Sequence, residues 1–404
     1  MATTAGERRS KLLLSVLAGL ALAYACDPTG AGKGPQEVED ALAALLADVG
    51  PKVVRPALAR AIPAAATLSA KTAEWSAVAA DSGDTSAARA EAQDAWMALM
   101  AVWQELEVMQ LGPAASSLTA VGGEDRRDAV YSWPTINRCR VDQETVYGEW
   151  NEADFFETRL VNAYGLSALE TLLFAPDAEN TCPSQVDINA DGTWDALGEA
   201  GVDAQRAAFA TVLAEKIEAD LFALDLRWDP AGDDYSGALA NAGDGSSPYE
   251  SQDAALSAVF NALFYLELAT KDQKLGEPLG LQTCDTTSCL EQVETTLAGG
   301  SDRWIIANLQ GFRALYGGGD GAGVDDLLIA LDHAELATAF TDALDEADTA
   351  AAAQTLPIDR AATEDLATAT AVYEAVKKVT DLLKGDLATT LALELPEEGA
   401  GDND

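Results

Sequence analysis

Histidine is almost missing from this 404-residue chain, which has only His333. That residue lies in Asp332-His333-Ala334-Glu335, with no His-Glu-x-x-His pattern, so the helical zinc-peptidase motif is excluded. The bland reading of His333 is a solvated helix position. Basic residues are scarce as well. There are 25 of them against 67 acidic ones, a formal charge of −42. A surface of that sign repels nucleic acid and anionic lipid headgroups, so no nucleic-acid partner is expected. It suits solubility in a salty or crowded medium. Aromatics reach only 6%. Alanine is abundant instead, and it is the best helix former and lets helices approach closely. No apolar run reaches the roughly 20 residues of a membrane-spanning helix. No Cys-x-x-Cys occurs, which leaves thioredoxin-like and zinc-ribbon chemistry without support.

What is present begins with Arg8, Arg9 and Lys11, followed by an apolar run from Leu12 to Ala25 and then Cys26. A basic start, a short apolar run and small residues before a cleavage point describe a secretory signal. The cysteine directly after Ala23-Tyr24-Ala25 resembles a bacterial lipoprotein signal, in which the Cys26 thiol carries the lipid. The chain is therefore expected in the cell envelope, in the periplasm or at the outer membrane, attached to a membrane through lipid. Residues 1–25 form the signal peptide and 26–36, rich in glycine and proline, a lipidated tether.

Apolar residues make up 48% of the chain, enough for large cores. Their periodicity is helical almost throughout: Ala41, Leu42, Leu45 and Leu46 share a face, as do Trp96, Leu99, Trp103 and Leu106. Helices are expected over 53–80, with Pro56 and Pro63 at starts or kinks, over 85–111 with Thr85 and Ser86 as caps, and over 152–174. Further helices are expected near 204–226, 249–270, 301–315, 324–348 and 363–393. No segment alternates as a strand would. The fold class is all-α, two packed helical bundles: residues 37–180 and 203–395, joined by a polar connector over 181–202 and followed by an acidic tail over 396–404. Gly317-Gly318-Gly319-Asp320-Gly321 lacks the Lys-Ser/Thr of a phosphate loop and reads as a turn. Apart from Cys26, four cysteines remain: Cys139, Cys182, Cys284 and Cys289. In an oxidising compartment they allow three pairings, of which Cys139–Cys182 with Cys284–Cys289 is favoured.

Several stretches, taken in order, are similar to one family. Trp103-Gln-Glu-Leu-Glu107-Val-Met-Gln110-Leu-Gly112-Pro113 resembles a family helix ending in Gly-Pro. Tyr131-Ser-Trp133-Pro134 resembles its Trp-Pro loop. Gly165-Leu-Ser167-Ala-Leu-Glu170 resembles a Gly-x-His-x-x-Glu signature. Lys274-Leu-Gly276-Glu-Pro278-Leu-Gly280 and Gly311-Phe-Arg-Ala-Leu-Tyr316 resemble later segments. The family is the imelysin-like one, often represented by envelope lipoproteins. The resemblance implies two related helical-bundle domains, an envelope location, and an association with iron or haem acquisition. A metallopeptidase activity is also attached to the family's name.

The chain departs from the signature where it matters chemically. Ser167 stands in place of the motif histidine, and a neutral hydroxyl does not replace imidazole as a ligand for zinc or iron. Peptidase activity is therefore disfavoured, and no catalytic residue is assigned. The binding reading is a polar pocket containing Glu107, Gln110, Ser167 and Glu170, with Gly165 at its edge and Trp103 and Trp133 as walls. Its ligand would be a hard cation or a small polar molecule, and its partners components of a metal-uptake system. The bland reading has the same residues hydrogen-bonded in a groove between helices, in a structural envelope protein whose inherited site has decayed. A separate cofactor candidate is calcium. Asp187, Asn189, Asp191, Thr193 and Asp195 match the front of a calcium loop, but Gly198 stands where that loop has its bidentate glutamate. The alternative for this stretch is an Asx-rich turn.

Overall fold

A computed structural model describes residues 34–282, 284 and 288–396. The expected signal, Cys26, residues 27–33 of the tether and the tail beyond Pro396 lie outside the described residues. Among those described, every regular element is helical and no strand forms. The end of the expected tether is already helix: Pro35 opens α1, Pro35–Asp48, where a proline is favoured because its missing N–H would have no helical partner. A π-helical turn, Val49–Val54, leads into α2, Arg55–Ala80. Pro56 sits at its start and Pro63 lies within it. Next comes α3, Ser86–Glu107. Its cap is Asp84, whose Oδ1 accepts the Ser86 N–H at 3.0 Å; Thr85 makes no side-chain cap.

Between residues 108 and 165 the chain is mostly irregular, with short helices α4, Arg126–Val130, and α5, Arg138–Tyr147. The helix expected over 152–174 is broken. A single α-helical turn, Phe155–Thr158, and a 3-10 turn, Val161–Ala163, precede α6, Leu166–Phe174, which starts afresh because Gly165 holds φ +84°, a left-handed backbone that no helix interior accepts. The remaining labelled helices are α7, Thr193–Trp228, which is kinked at Gly198 where φ is +63°; α8, Gln252–Leu263; α9, Ser301–Tyr316; α10, Val324–Ala330; α11, Ala334–Ala353; and α12, Leu366–Leu382. Between α8 and α9 an 11-residue π-helical segment, Leu266–Gly276, replaces the end of the expected helix.

The longest helices set the architecture. α2 packs along both α3 and α7, and α3 turns another face to α9. α11 and α12 pair with each other, and α9 joins them to α3. One continuous apolar core runs through these elements, from Leu45 to Ala388, and includes Trp75, Trp96, Trp103, Trp228 and Trp304. α7 begins inside the expected connector, and its most extensive packing is on α2, toward the other end of the sequence. The connector is more ordered than its polarity suggests. Ile188, Trp194 and Val202 form a small satellite core beside the Cys139–Cys182 bridge. The second bridge joins Cys284 to Cys289, so both favoured pairings are found.

Arginine and glutamine side chains of α3 close the end of α6. Arg89 Nε and Gln93 Nε2 each donate to the Leu173 carbonyl at 2.7 Å, and Arg89 Nη2 donates to the Ala175 carbonyl at 2.6 Å. The carbonyls that a helix C-terminus leaves open are thereby satisfied by a neighbouring helix. At its other side α3 meets α9 through Gly311, where backbone replaces side chain. A β-carbon there would lie 2.2 Å from the Glu105 carbonyl oxygen. Gly311→Ala is expected to lower stability by about 1–3 kcal/mol through overpacking. Gly385, whose β-carbon would meet open space, serves as the control. Urea unfolding of both variants is the measurement, and equal stabilities would contradict a backbone contact at Gly311.

Candidate functional site

The site grows from the buried face of α3. Residues three apart on a helix share a face, so Gln104 and Glu107 both point inward, and both are buried. Opposite them, the π-helical segment brings in Lys274, which is 2% exposed. Its ammonium donates to Gln104 Oε1 at 2.6 Å and to Glu107 Oε2 at 3.2 Å, and lies 3.2 Å from Glu294 Oε2. An ammonium carries three N–H donors, and three oxygens face this one. The rings of Trp133 and Tyr265 flank it with centroids at 5.5 and 5.4 Å, a distance at which aromatic faces attract a cation.

The two carboxylates around Lys274 differ. Glu107 Oε1 also accepts from Arg127 Nη2 at 2.5 Å. Burial alone would raise its carboxyl, but the charges of Lys274 and Arg127 outweigh that effect and hold it below the usual carboxylate range, with a smaller contribution from the Tyr265 hydroxyl. Glu294 Oε1 accepts from Tyr131 at 2.5 Å and from Gln104 Nε2 at 2.8 Å. Burial pushes Glu294 up, and Lys274, shared with Glu107, does not reverse it. Gln104 is fixed in turn by Asn308 of α9, whose Nδ2 donates to the Gln104 carbonyl at 2.8 Å and to its Oε1 at 2.9 Å.

The expected pocket residues separate into two layers. Glu107 and Trp133 belong to the Lys274 network. Glu170 belongs to a neighbouring layer, where Oε1 accepts the N–H groups of Leu297 and Ala298 at 2.9 and 3.0 Å. It thereby holds the turn that follows Glu294, and burial raises its carboxyl above the ordinary value. Ser167 is buried, and its hydroxyl finds no hydrogen-bond partner among the described residues. Gly165 permits the crossing of two segments: a β-carbon there would stand 2.8 Å from the Val130 carbonyl oxygen. Trp103 is buried in the core, while Gln110 lines a surface cleft.

That cleft, about 750 Å³, lies between residues 110–134 and 249–273. Arg127 and Tyr265 line it and stand between it and Glu107. Among the described residues, no aspartate or glutamate lines the cleft, and Arg127 is the one charged residue there. In a chain with 67 acidic residues, this is a local gap in the acidic side chains described.

The calcium candidate takes another shape. Asp187–Ala190 is a helical turn, closed by the Ala190 N–H on the Val186 carbonyl at 2.9 Å. Side chains two apart on a helix face away from each other, so Asp187 and Asn189 do not converge. The Asn189 amide instead donates to Asn180 Oδ1 and to the Cys182 carbonyl. Asp191, Thr193 and Asp195 are exposed. Among the described residues no three acidic, cysteine or histidine side chains are grouped to hold a metal ion. The stretch is an ordered helical turn whose candidate oxygens are not gathered. His333 is exposed at the start of α11.

Sequence reasoning found Glu107 and Glu170 but missed Lys274, Gln104, Glu294, Arg127, Tyr131 and Tyr265 as site residues. Gln104, Tyr131 and Lys274 stand inside the family-like stretches, and the three-residue step from Glu107 could have singled out Gln104. Nothing local marks Glu294 or Arg127 among so many charged residues.

Removing one partner of a buried ion pair leaves the other charge uncompensated, so Lys274→Met is expected to destabilise the fold by about 3–5 kcal/mol. Chemical denaturation tests this, and an unchanged midpoint would contradict the network. The pH dependence divides between the two acids. Glu107, held low, gives stability that is complete above the ordinary carboxylate range and lost as pH falls through its folded value. Glu294, pushed up, gives stability that is complete below that range and lost as pH rises toward its folded value. The deficit of Glu107→Gln should therefore shrink on acidification, while Glu294→Gln should gain on wild type as pH rises. Unfolding free energies measured across pH decide it; parallel curves for the two variants would refute the assignment.

The family model for imelysin, peptidase family M75, matches residues 57–385. Two solved structures share the fold. An imelysin-like protein from Psychrobacter arcticum 273-4 aligns with a TM-score of 0.61 at 18% identity, over 90% of this chain and 99% of that one. A protein described as an iron-regulated protein A precursor, from Parabacteroides distasonis ATCC 8503, aligns with a TM-score of 0.66 at 15% identity, over 90% and 97%. No curated protein sequence matches the chain. With its family match spanning most of its length and its helices arranged as in these structures, the chain belongs to the imelysin family.

Proposed function

We propose that this chain is a lipid-anchored, non-peptidolytic imelysin of the bacterial cell envelope, which binds a small polar ligand in the cleft above Arg127 and Tyr265 as part of a metal- or iron-uptake system. The observation that carries this reading is the commitment of the motif carboxylates. Glu170 is engaged by two backbone N–H groups, and Glu107 by Arg127 and Lys274. The motif imidazole is Ser167. A zinc ion would have to displace an ammonium from Glu107 and two amides from Glu170, without any histidine to bind it. Catalytic zinc usually relies on histidine or cysteine for most of its ligands.

Binding remains as a role for the cleft. Its volume is that of a small-molecule site, and its wall mixes apolar surface with a few polar groups. A lining that among the described residues has no carboxylate and one arginine suits a neutral or anionic molecule better than a bare cation; a metal would arrive there already complexed. The iron connection rests on the printed description of the Parabacteroides distasonis relative and on the family resemblance. Envelope attachment rests on the basic-apolar-cysteine start; no helix among the described residues is long and apolar enough to cross a membrane.

Three measurements test this. Purified protein should carry zinc well below one equivalent and leave an unfolded polypeptide uncut, with or without chelator. Ser167→His alone should not create a zinc site, since Glu170 stays engaged. Mass spectrometry of the membrane-extracted protein should find diacylglycerol on Cys26. Stoichiometric zinc with chelator-sensitive cleavage would overturn the binding reading, and an unmodified Cys26 would remove the anchor.

A further inference from the structure

Behind the cleft lies a second, nearly closed recess, which shares Arg127 and Gln110 with it. The recess offers about 10 Å³ to the centre of a water-sized sphere, which is room for one small ion or one water. Its walls come from distant parts of the chain: Trp103 of α3, Arg127 of α4 and Trp228 at the end of α7. Trp103 is 2% exposed and Trp228 is 0% exposed. Each of the three residues carries a buried N–H with no hydrogen-bond partner among the described residues: Trp103 Nε1, Trp228 Nε1 and Arg127 Nε.

An unsatisfied buried donor costs roughly 1–3 kcal/mol, and three such groups around one recess call for a common acceptor. Indole and guanidinium nitrogens only donate. Apart from Gln110, the other side chains here are apolar, Leu106 and Leu224 among them. A water has two lone pairs, so it accepts from two of the three donors and leaves the third unpaired, and Gln110 is the one lining side chain that could accept its hydrogens. A monatomic anion accepts from all three and donates nothing. We propose that the recess is a binding site for one halide-sized anion, of the chloride class, held by Trp103, Trp228 and Arg127.

The surrounding charge agrees with this. Arg127 and Lys274 bring two buried positive charges, and Glu107 is the acid held in its ionised form. Asp128, the other partner of Arg127, is half-exposed, so water screens its charge.

The test exchanges chloride for bromide, and for sulfate as an anion too large for the recess, at constant ionic strength. Crystals grown in bromide should show an anomalous peak within hydrogen-bond distance of Arg127 Nε and the two indole nitrogens. In solution, bromide should quench tryptophan fluorescence saturably, although both rings are shielded from solvent, and chloride should compete. Trp103→Phe and Trp228→Phe each keep an aromatic ring and remove one donor; each should weaken halide affinity about tenfold. An ordered water in place of the anomalous peak, or identical halide titrations for wild type and both variants, would overturn the proposal. The crystallographic result stands even if a variant fails to fold.

Discussion

The ammonium of Lys274 is the point through which the interior is connected. It joins α3, through Gln104 and Glu107, to the turn before α9, through Glu294, and each of those acids reaches onward to α4 or its end. A buried charge far from water demands partners, and here each partner is itself held by another donor. Gln104 is gripped by Asn308, Glu294 by Tyr131 and Glu107 by Arg127. Such a network adds little net stability compared with an apolar filling, but losing one member leaves the others stranded. It fixes which faces of α3, α9 and the π-helical segment meet, in a core where alanine-rich surfaces alone would allow helices to slide.

The same constraint determines what the inherited motif can do. Glu170 lies close enough to Glu294 for their charges to interact, but its oxygen serves the backbone of the adjoining turn. With Ser167 in the imidazole position, the motif supports structure, and the chemistry open to a ligand moves outward to the cleft. There Arg127 is the hinge of the electrostatics. One guanidinium nitrogen binds Glu107, another meets Asp128, and the residue lines both the cleft and the recess behind it.

Much of the fold was legible in the chain. The three- and four-residue spacing of Trp96, Leu99, Trp103 and Leu106 predicts α3 and its buried face, and all four are core residues. Both disulfides follow the favoured pairing. One expectation failed for an identifiable reason. The helix over 152–174 has good periodicity at its end, but Gly165 must pass the Val130 carbonyl, and that tertiary crossing breaks it. Asp187–Asp195 has the spacing of a calcium loop, while its first residues form a helical turn that points the Asp187 and Asn189 side chains apart, beside the buried Ile188, Trp194 and Val202.

The sequence by itself determined the helical class, the family, the sign of the surface and the absence of an imidazole at the motif, since each is a property of residue identity or of short-range period. Only the tertiary structure decided that Lys274 fills the space between Glu107 and Glu294, that Glu170 serves a turn, and that a cleft with no acid among its described lining residues lies over Arg127. Those facts depend on contacts between residues more than a hundred positions apart. In a chain so rich in carboxylates, no local pattern distinguishes the few that burial brings together.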